Sequence, residues 1–342
     1  MKKLYAILLT PLMLLASCDS DVSSSNQMTS TNSTDTNYQY HLIAPKGAPG
    51  LSYYSFLEKE NYTVEISSPS NVIAAFSSSD YDAIIFDLTK GANFIKQGKK
   101  YKLARLVTSS NAYLVSIGNK PADDEVSNED KIVSFGTNSL FTGLLKKVHN
   151  LDEVIEVSDV ATAYQVASSG LYEGEKVDYV VLSEPYVSQL IDNNPTSRYL
   201  KEDISQSYYE YSKQLGLNGG EGYKLFPQAG LFISENLENN QGAVTSFLQD
   251  FDKNLNDLAN NDAKEAIACL ERLNDYDIQA NFNMSLELIK EVLNQETNPL
   301  NLANAMGFTS TSFDINGFIE EAGIEGITPI PSSAFSKYSN LK

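Results

Sequence analysis

Residues 40–90 read YHLIAPKGAPGLSYYSFLEKENYTVEISSPSNVIAAFSSSDYDAIIFDLTK. Three short runs rich in β-branched and aromatic residues recur there: YHLIA at 40–44, YTVEI at 62–66 and YDAIIF at 81–86. Each precedes a small turn and an amphipathic stretch, so helices are expected from about Gly50, from Ser70 and from Leu88. Strands alternating with helices make βα units, whose strands pair in parallel under a covering of helices.

Working outward, YKLARLV at 101–107 and AYLVSIG at 112–118 follow with no obvious helix between them. The rhythm then restarts with KIVSF at 131–135, DEVIEV at 152–157 and VDYVVL at 177–182, each ahead of a helix-like segment. A polar passage, NGGEG at 218–222, leads to one more strand, QAGLFIS at 228–234. Beyond it Val244, Phe247, Leu248, Phe251, Leu255 and Leu258 form one apolar stripe at helical spacing. Pro299 at a first turn with Gly307 past the end marks another helix, and Ser312 to Ala322 a further one.

The expected fold is α/β, with two Rossmann-like lobes joined by crossover strands near 112–118 and 228–234, a ligand cleft between them, and a helical C-terminal segment. The first lobe takes residues 38–115 and 229–342, and the second takes 116–228.

The N-terminus stands outside this pattern. Lys2 and Lys3 precede an apolar run, Leu4 to Leu15, that is too short for a permanent span and is built like a secretory signal. LLASC at 14–18 resembles the lipobox of bacterial lipoproteins. That resemblance implies cleavage after Ser17, with residues 1–17 the signal peptide and Cys18 lipidated. Residues 18–37 are then a flexible linker, because a stretch of Ser, Thr, Asn and Asp has no apolar surface to bury. The implied location is the extracytoplasmic face of the cell membrane.

Composition narrows the function. Among 342 residues, 25 are basic and 44 acidic, a net charge of −19, which excludes a phosphate-backbone binder and so nucleic acid. Two His, His41 and His149, and two Cys, Cys18 and Cys269, are too few for a His/Cys metal centre, so no metal or cofactor is expected. Cys269 lies at helical spacing from Ala266, Leu270 and Leu273 and reads as a buried inert thiol. There is no G-x-S-x-G elbow and no H-E-x-x-H, so no catalytic residue is assigned and the protein is not expected to be an enzyme.

A family resemblance rests on several weak motifs in order. APKGAPGLSYYSFL at 44–57, SSPSNVIAAFSSSDYDAIIF at 67–86 and YKLARLVTSSNAYLVSIG at 101–118 look like the first lobe of type II extracytoplasmic solute-binding proteins. KLFPQAGLFIS at 224–234 resembles their return crossover. The subgroup serves ABC importers of nitrate, sulfonates, taurine and thiamine precursors. The resemblance implies a monomeric solute receptor that delivers a small molecule to an ABC permease and ATPase. A surface lipoprotein hydrolase acting on sugars or phosphoesters, and a sensing or scaffolding lipoprotein, remain alternatives.

In open parallel sheets, ligands sit beyond the carboxyl ends of the strands, where helix N-termini present unpaired N–H groups. Applied to each βα unit, this selects Gly47, Ala48 and Pro49; Ser68 and Ser70; Asp87 and Thr89; Thr137, Asn138 and Ser139; and Glu184 and Tyr186. Asn111 and Tyr113 join them at the crossover. Each of the loop residues could equally be ordinary turn or cap, with Asp87 the plainest N-cap and Ser183 read as the cap before Pro185. Only three Arg occur, and Arg105 lies inside a strand, so an Arg-clamped anion is disfavoured. The chain has 20 Tyr and no Trp, which favours a nitrogenous heterocycle such as a thiamine-type pyrimidine, stacked on Tyr113 or Tyr186 and bonded by Asp87 or Glu184.

Overall fold

The computed structural model describes residues 38–341, except 119, 121–123, 195–196, 261–262, 274–275 and 303. The signal peptide, Cys18 and the linker to residue 37 lie outside the described residues.

The first sheet is built by β1 (Tyr40–Pro45), β2 (Tyr62–Ser67), β3 (Ala83–Asp87) and β4 (Tyr101–Ser109). The strand β1 pairs in parallel with both neighbours, placing Leu42 against Val64 on one side and Ala83 on the other. Between these strands run α1 (Ala48–Leu51), α2 (Pro69–Ser78) and α3 (Leu88–Lys96). The helix expected from Gly50 is only one turn long, followed by a tighter 3-10 turn over Tyr54–Glu58. Tyr53 and Phe56 are fully buried, and driving both rings into the core takes the chain off a regular helical path. The other two helices start where their caps stop the strands: the Ser68 hydroxyl accepts from Asn71 N–H and the Asp87 carboxylate from Lys90 N–H.

The second sheet comprises β5 (Tyr113–Ser116), β6 (Ile132–Phe135), β7 (Ile155–Val157), β10 (Tyr179–Leu182) and β11 (Tyr199–Asp203). Its spatial order is β11-β5-β10-β6-β7, with β6 parallel to β7 and β10, and β5 antiparallel to β10 and β11. The helices α4 (Leu140–His149), α5 (Val160–Ser169), α6 (Tyr186–Asn193) and α7 (Ile204–Gln214) follow β6, β7, β10 and β11. The strand β11 and a hairpin of β8 (Leu171–Tyr172) and β9 (Glu175–Lys176) escape sequence reading, being short and without a buried alternating face. Ser183 does not cap α6; the cap position is Pro185, reached through a cis peptide from Glu184.

The chain returns on β12 (Pro227–Ser234), which inserts antiparallel between β3 and β4 and completes the order β2-β1-β3-β12-β4. Then come α8 (Glu235–Asn239), α9 (Gln241–Ala259), α10 (Lys264–Arg272), α11 (Ile278–Phe282), α12 (Leu286–Leu293) and α13 (Ile315–Ala322). The predicted stripe of α9 is buried along its whole length against the first sheet's core. Among the described residues of 299–307 no helix forms. Asn301 and Asn304 take positive φ there, and the Asn304 side chain bonds both the N–H and the carbonyl of Phe308, holding the segment in turns. Helix α13 begins three residues beyond Ser312 because the Asp314 carboxylate caps it through Gly317 N–H.

One apolar cluster runs through both sheets, joining Ile84 and Phe86 of β3 to Leu114 of β5, Val181 of β10 and Phe318 of α13. The tail serves both lobes. Helix α13 packs Phe318 edge-on against Tyr208 and Tyr223, after which the chain returns to β4, where Arg105 donates to the carbonyl of Tyr338.

Candidate functional site

Strand ends and caps place the first turn of α3 opposite the loop before α4. Between them lies a cavity of about 240 Å³. Thr89, Lys90 and Asn93 form one wall, Thr137 and Asn138 the other, and the turn from Gly326 to Ile330 closes the rim. Its position is fixed locally. Asp87 ends β3 and bonds Lys90 N–H at 2.9 Å and the Thr89 hydroxyl at 2.8 Å, so both wall residues project from a capped helix start. Gly136, at φ +78°, turns the chain out of β6, and a methyl group on it would come within 3.8 Å of the Lys90 ammonium. That lysine therefore reaches across from the first lobe to the second. Its ammonium has no acidic partner among the described residues.

Other groups around the cavity are already engaged. Thr328 accepts from Lys96 Nζ at 2.7 Å, Ile330 is bonded on both its N–H and carbonyl by Asn316, and Asn138 N–H donates to Glu156 at 2.8 Å. What the cavity offers a solute is one cation, the hydroxyl of Thr137, and the side-chain amides of Asn93 and Asn138, close to the positive ends of α3 and α4.

The sequence-selected residues separate into three groups. Thr89, Thr137 and Asn138 line the cavity. Ser68, Asp87 and Ser139 act as N-caps, and Ser139 also shares a hydroxyl network with Thr142 and Ser134. Exposed Ser70 only meets Ser68, at 2.9 Å.

The third group is covered by the chain itself. Gly47 N–H donates to the carbonyl of Phe282 at 3.0 Å, so α11 sits over the Gly47, Ala48 and Pro49 turn. Tyr113 Oη donates to the carbonyl of Ala305 at 2.8 Å, and Asn111 Nδ2 to the carbonyls of Met306 and Glu184, each at 3.2 Å. The Tyr186 hydroxyl accepts from Asn283 Nδ2. Glu184 is 1 % exposed, and its carboxyl accepts from the N–H and hydroxyl of Ser188, so it closes the first turn of its own helix. Burial pushes the Glu184 carboxyl up to about 7 against the opposing hydrogen bonds of Ser188 and Asn298. Burial likewise raises the Tyr113 phenol. In the structure Tyr113 and Tyr186, two of the residues expected to grip a heterocycle, are thus engaged by the C-terminal segment, while Glu184 and Asp87 bond the first turns of their own helices.

Lys90, Asn93 and the rim turn are the lining residues that sequence reading missed. A signal for Lys90 existed, since it stands three residues after a strand-ending Asp, in the helix turn that meets a cleft. The rim turn carried none, because it reaches the site only through the path of the C-terminal tail.

The remaining ionisable features lie elsewhere. His149, in the last turn of α4, contacts Glu202 at 2.9 Å. Arg105 makes a paired contact with Asp252 at 2.7 and 3.0 Å inside the first lobe. Cys269 is a free buried thiol, pushed up to about 12 by burial and then by Glu58.

No protein-family model matches the sequence, and no curated protein matches it significantly. Solved structures do match its fold. A ligand-binding component of an ABC-type import system from Staphylococcus aureus, with zinc bound, aligns with a TM-score of 0.62 and 11% identity over 88% of this chain and 96% of that one. An ABC transporter structure from Parabacteroides distasonis gives 0.60 and 17% over 87% and 99%. The chain has the periplasmic-binding-protein-like fold. The aliphatic sulphonate binding protein SsuA from Escherichia coli shares it, with a TM-score of 0.55 and 12% identity over 89% and 99%. At these identities the likeness speaks for architecture alone, and the solute must be read from the cavity.

Proposed function

We propose that the protein is the solute-binding component of an ABC importer, held at the outer face of the membrane by lipid on Cys18 and delivering a small molecule to a permease and its ATPase. The observation that carries this reading is the cavity between the two lobes, with Lys90 reaching from one to the other. A ligand bridging that lysine and the Thr137 loop gains affinity only when both lobes hold it, which is how a cleft receptor couples binding to closure.

The solute we infer is a small anion of the sulfonate or nitrate kind rather than a heterocycle. The cavity supplies a cation, hydroxyl and amide donors and helix N-termini, whereas the tyrosines and Glu184 that favoured a ring are engaged by the chain itself. A volume of about 240 Å³ is below the range of drug-sized pockets, which suits a compact solute.

Calorimetric titration of the purified body with nitrate, alkanesulfonates, phosphate, short carboxylates and a thiamine-type pyrimidine tests the reading. One anion should bind with one-to-one stoichiometry and emerge chemically unchanged. Turnover of the ligand, or tight binding of the pyrimidine alone, would overturn it. For the anchor, a Cys18→Ala protein should move from the membrane to the soluble fraction; equal membrane retention would show that Cys18 does not hold it.

A further inference from the structure

Ligands of sheets like these sit at the carboxyl ends of the strands, and part of that place already holds protein. The strands β1, β3 and β4 run parallel to one another, since β12 lies antiparallel to both β3 and β4, so Gly47 after β1 and Ser109 at the end of β4 share one edge. In the second sheet β5 runs antiparallel to β10 and pairs Tyr113 with Leu182, which sets Tyr113 beside the carboxyl end of β10 and the turn to Tyr186. The chain between Phe282 and Thr309 touches both edges.

Its contacts with the crossover form a ladder. The carbonyls of Ala305, Met306 and Gly307 accept in turn from the Tyr113 hydroxyl at 2.8 Å, the Asn111 side-chain amide at 3.2 Å and the Ser109 N–H at 2.7 Å. Two residues on, Thr309 N–H donates to the carbonyl of Val107 at 3.1 Å. Gly307 permits the approach: its φ is +70°, and a methyl group there would stand 1.9 Å from the Ser109 carbonyl oxygen. Three donors suited to the oxygens of a solute are filled by three consecutive main-chain carbonyls.

Anchoring is unequal between the lobes. On the first, Phe282, Met284, Met306 and Phe308 are fully buried in the lobe's core, and Gly47 N–H is bonded to the carbonyl of Phe282. On the second, attachment rests on the Tyr113 bond, on Asn283 donating to the Tyr186 hydroxyl, and on Leu300 and Leu302, which pack partly buried against that lobe's apolar cluster. A segment rooted in one lobe and seated on the other by a few contacts ties the two together; when they part, it stays with the first.

We propose that the segment from Phe282 to Thr309 is a built-in clasp, a ligand surrogate that fills the inner half of the cleft and holds the lobes closed before any solute arrives. This goes beyond the importer reading, in which the solute itself draws the lobes together. A receptor whose closed state is already populated loses little affinity to the closing step, because apparent affinity scales with the competent fraction. The clasp also confines the solute to the Lys90 side, since the inner donors are taken.

The test is the distance between the lobes without solute, read by pulsed EPR from spin labels on Ser70→Cys and Ser158→Cys. Both positions are exposed at carboxyl strand edges, one in each lobe. The parent is the full-length chain with Cys18→Ala and Cys269→Ser, so that only the labelled thiols react. It should show one narrow distance at the separation of the structure. Tyr113→Phe with Tyr186→Phe deletes two hydroxyls and keeps both rings; the open-to-closed ratio should rise about fivefold for each, roughly 25-fold together. Leu300→Asp, which sets a charge in the second lobe's apolar cluster, should make a longer distance dominant. A parent that is mostly open, or a Leu300→Asp protein that keeps the parent's distance, would overturn the proposal. Should Leu300→Asp fail to fold, the double tyrosine variant decides, and an unchanged distance distribution overturns the clasp. No solute enters the experiment, so a failed clasp leaves the importer reading standing, and failed calorimetry leaves the clasp standing.

Discussion

Lys90 shows how one residue changes the solute inferred. Few arginines pointed away from an Arg clamp, and Arg105 is committed to Asp252 inside the first lobe. A lysine makes a weaker, undirected contact, but in a cavity with hydroxyl and amide donors it supplies the charge an anion needs. Lys90→Gln should keep the fold, since its ammonium has no acidic partner to leave unpaired. The variant should lower affinity for the bound anion by about tenfold to a hundredfold, the worth of one charge-assisted hydrogen bond. Calorimetry on the variant reads this, and unchanged affinity would place the anion elsewhere. Lys90 was visible in the sequence as a letter; that it faces Gly136 across two lobes was not, because that distance depends on how the lobes meet.

Helix α3 carries the cavity's first wall, and its seat depends on one missing side chain. Gly91 lies where α3 crosses β12, and a methyl group there would stand 2.3 Å from the ring of Phe232. Gly91→Ala should therefore force helix and strand apart, costing about 1–3 kcal/mol in a urea melt and weakening solute binding together with it. Loss of stability without any loss of binding would mean that Phe232 moves while the helix stays. At this scale much was legible: the β1 to β3 units, the caps at Ser68 and Asp87, and the long stripe of α9 follow from local periodicity and turn chemistry. The helix expected over 299–307 fails because Pro299 and Gly307 are helix punctuation only when nothing else competes. Asn298, Asn301 and Asn304 compete with side-chain turns and positive φ, and the freed carbonyls of Ala305 and Met306 are taken by Tyr113 and Asn111.

For the whole molecule, the shared apolar cluster makes the lobes interdependent. Phe318 is fully buried in it, beside Tyr208 and Tyr223. Phe318→Ala should cost about 3–5 kcal/mol. Because the cluster reaches β3 as well as β10, probes in the two lobes should report one coincident urea transition, shifted equally by the variant. A second lobe that melts early while the first stays intact would show that the cluster does not couple them.

Sequence by itself determined the alternation of strands and helices, the two-sheet α/β class, the caps that aim loops at a cleft, and the acidic composition. These are set by spacing, propensity and charge within a few residues. Only the tertiary structure decided which half of the cleft is open, because the path of residues 278–330 is fixed by long-range packing. That path lays main-chain carbonyls over Tyr113 and Asn111, buries Glu184, and leaves Lys90 facing a cavity.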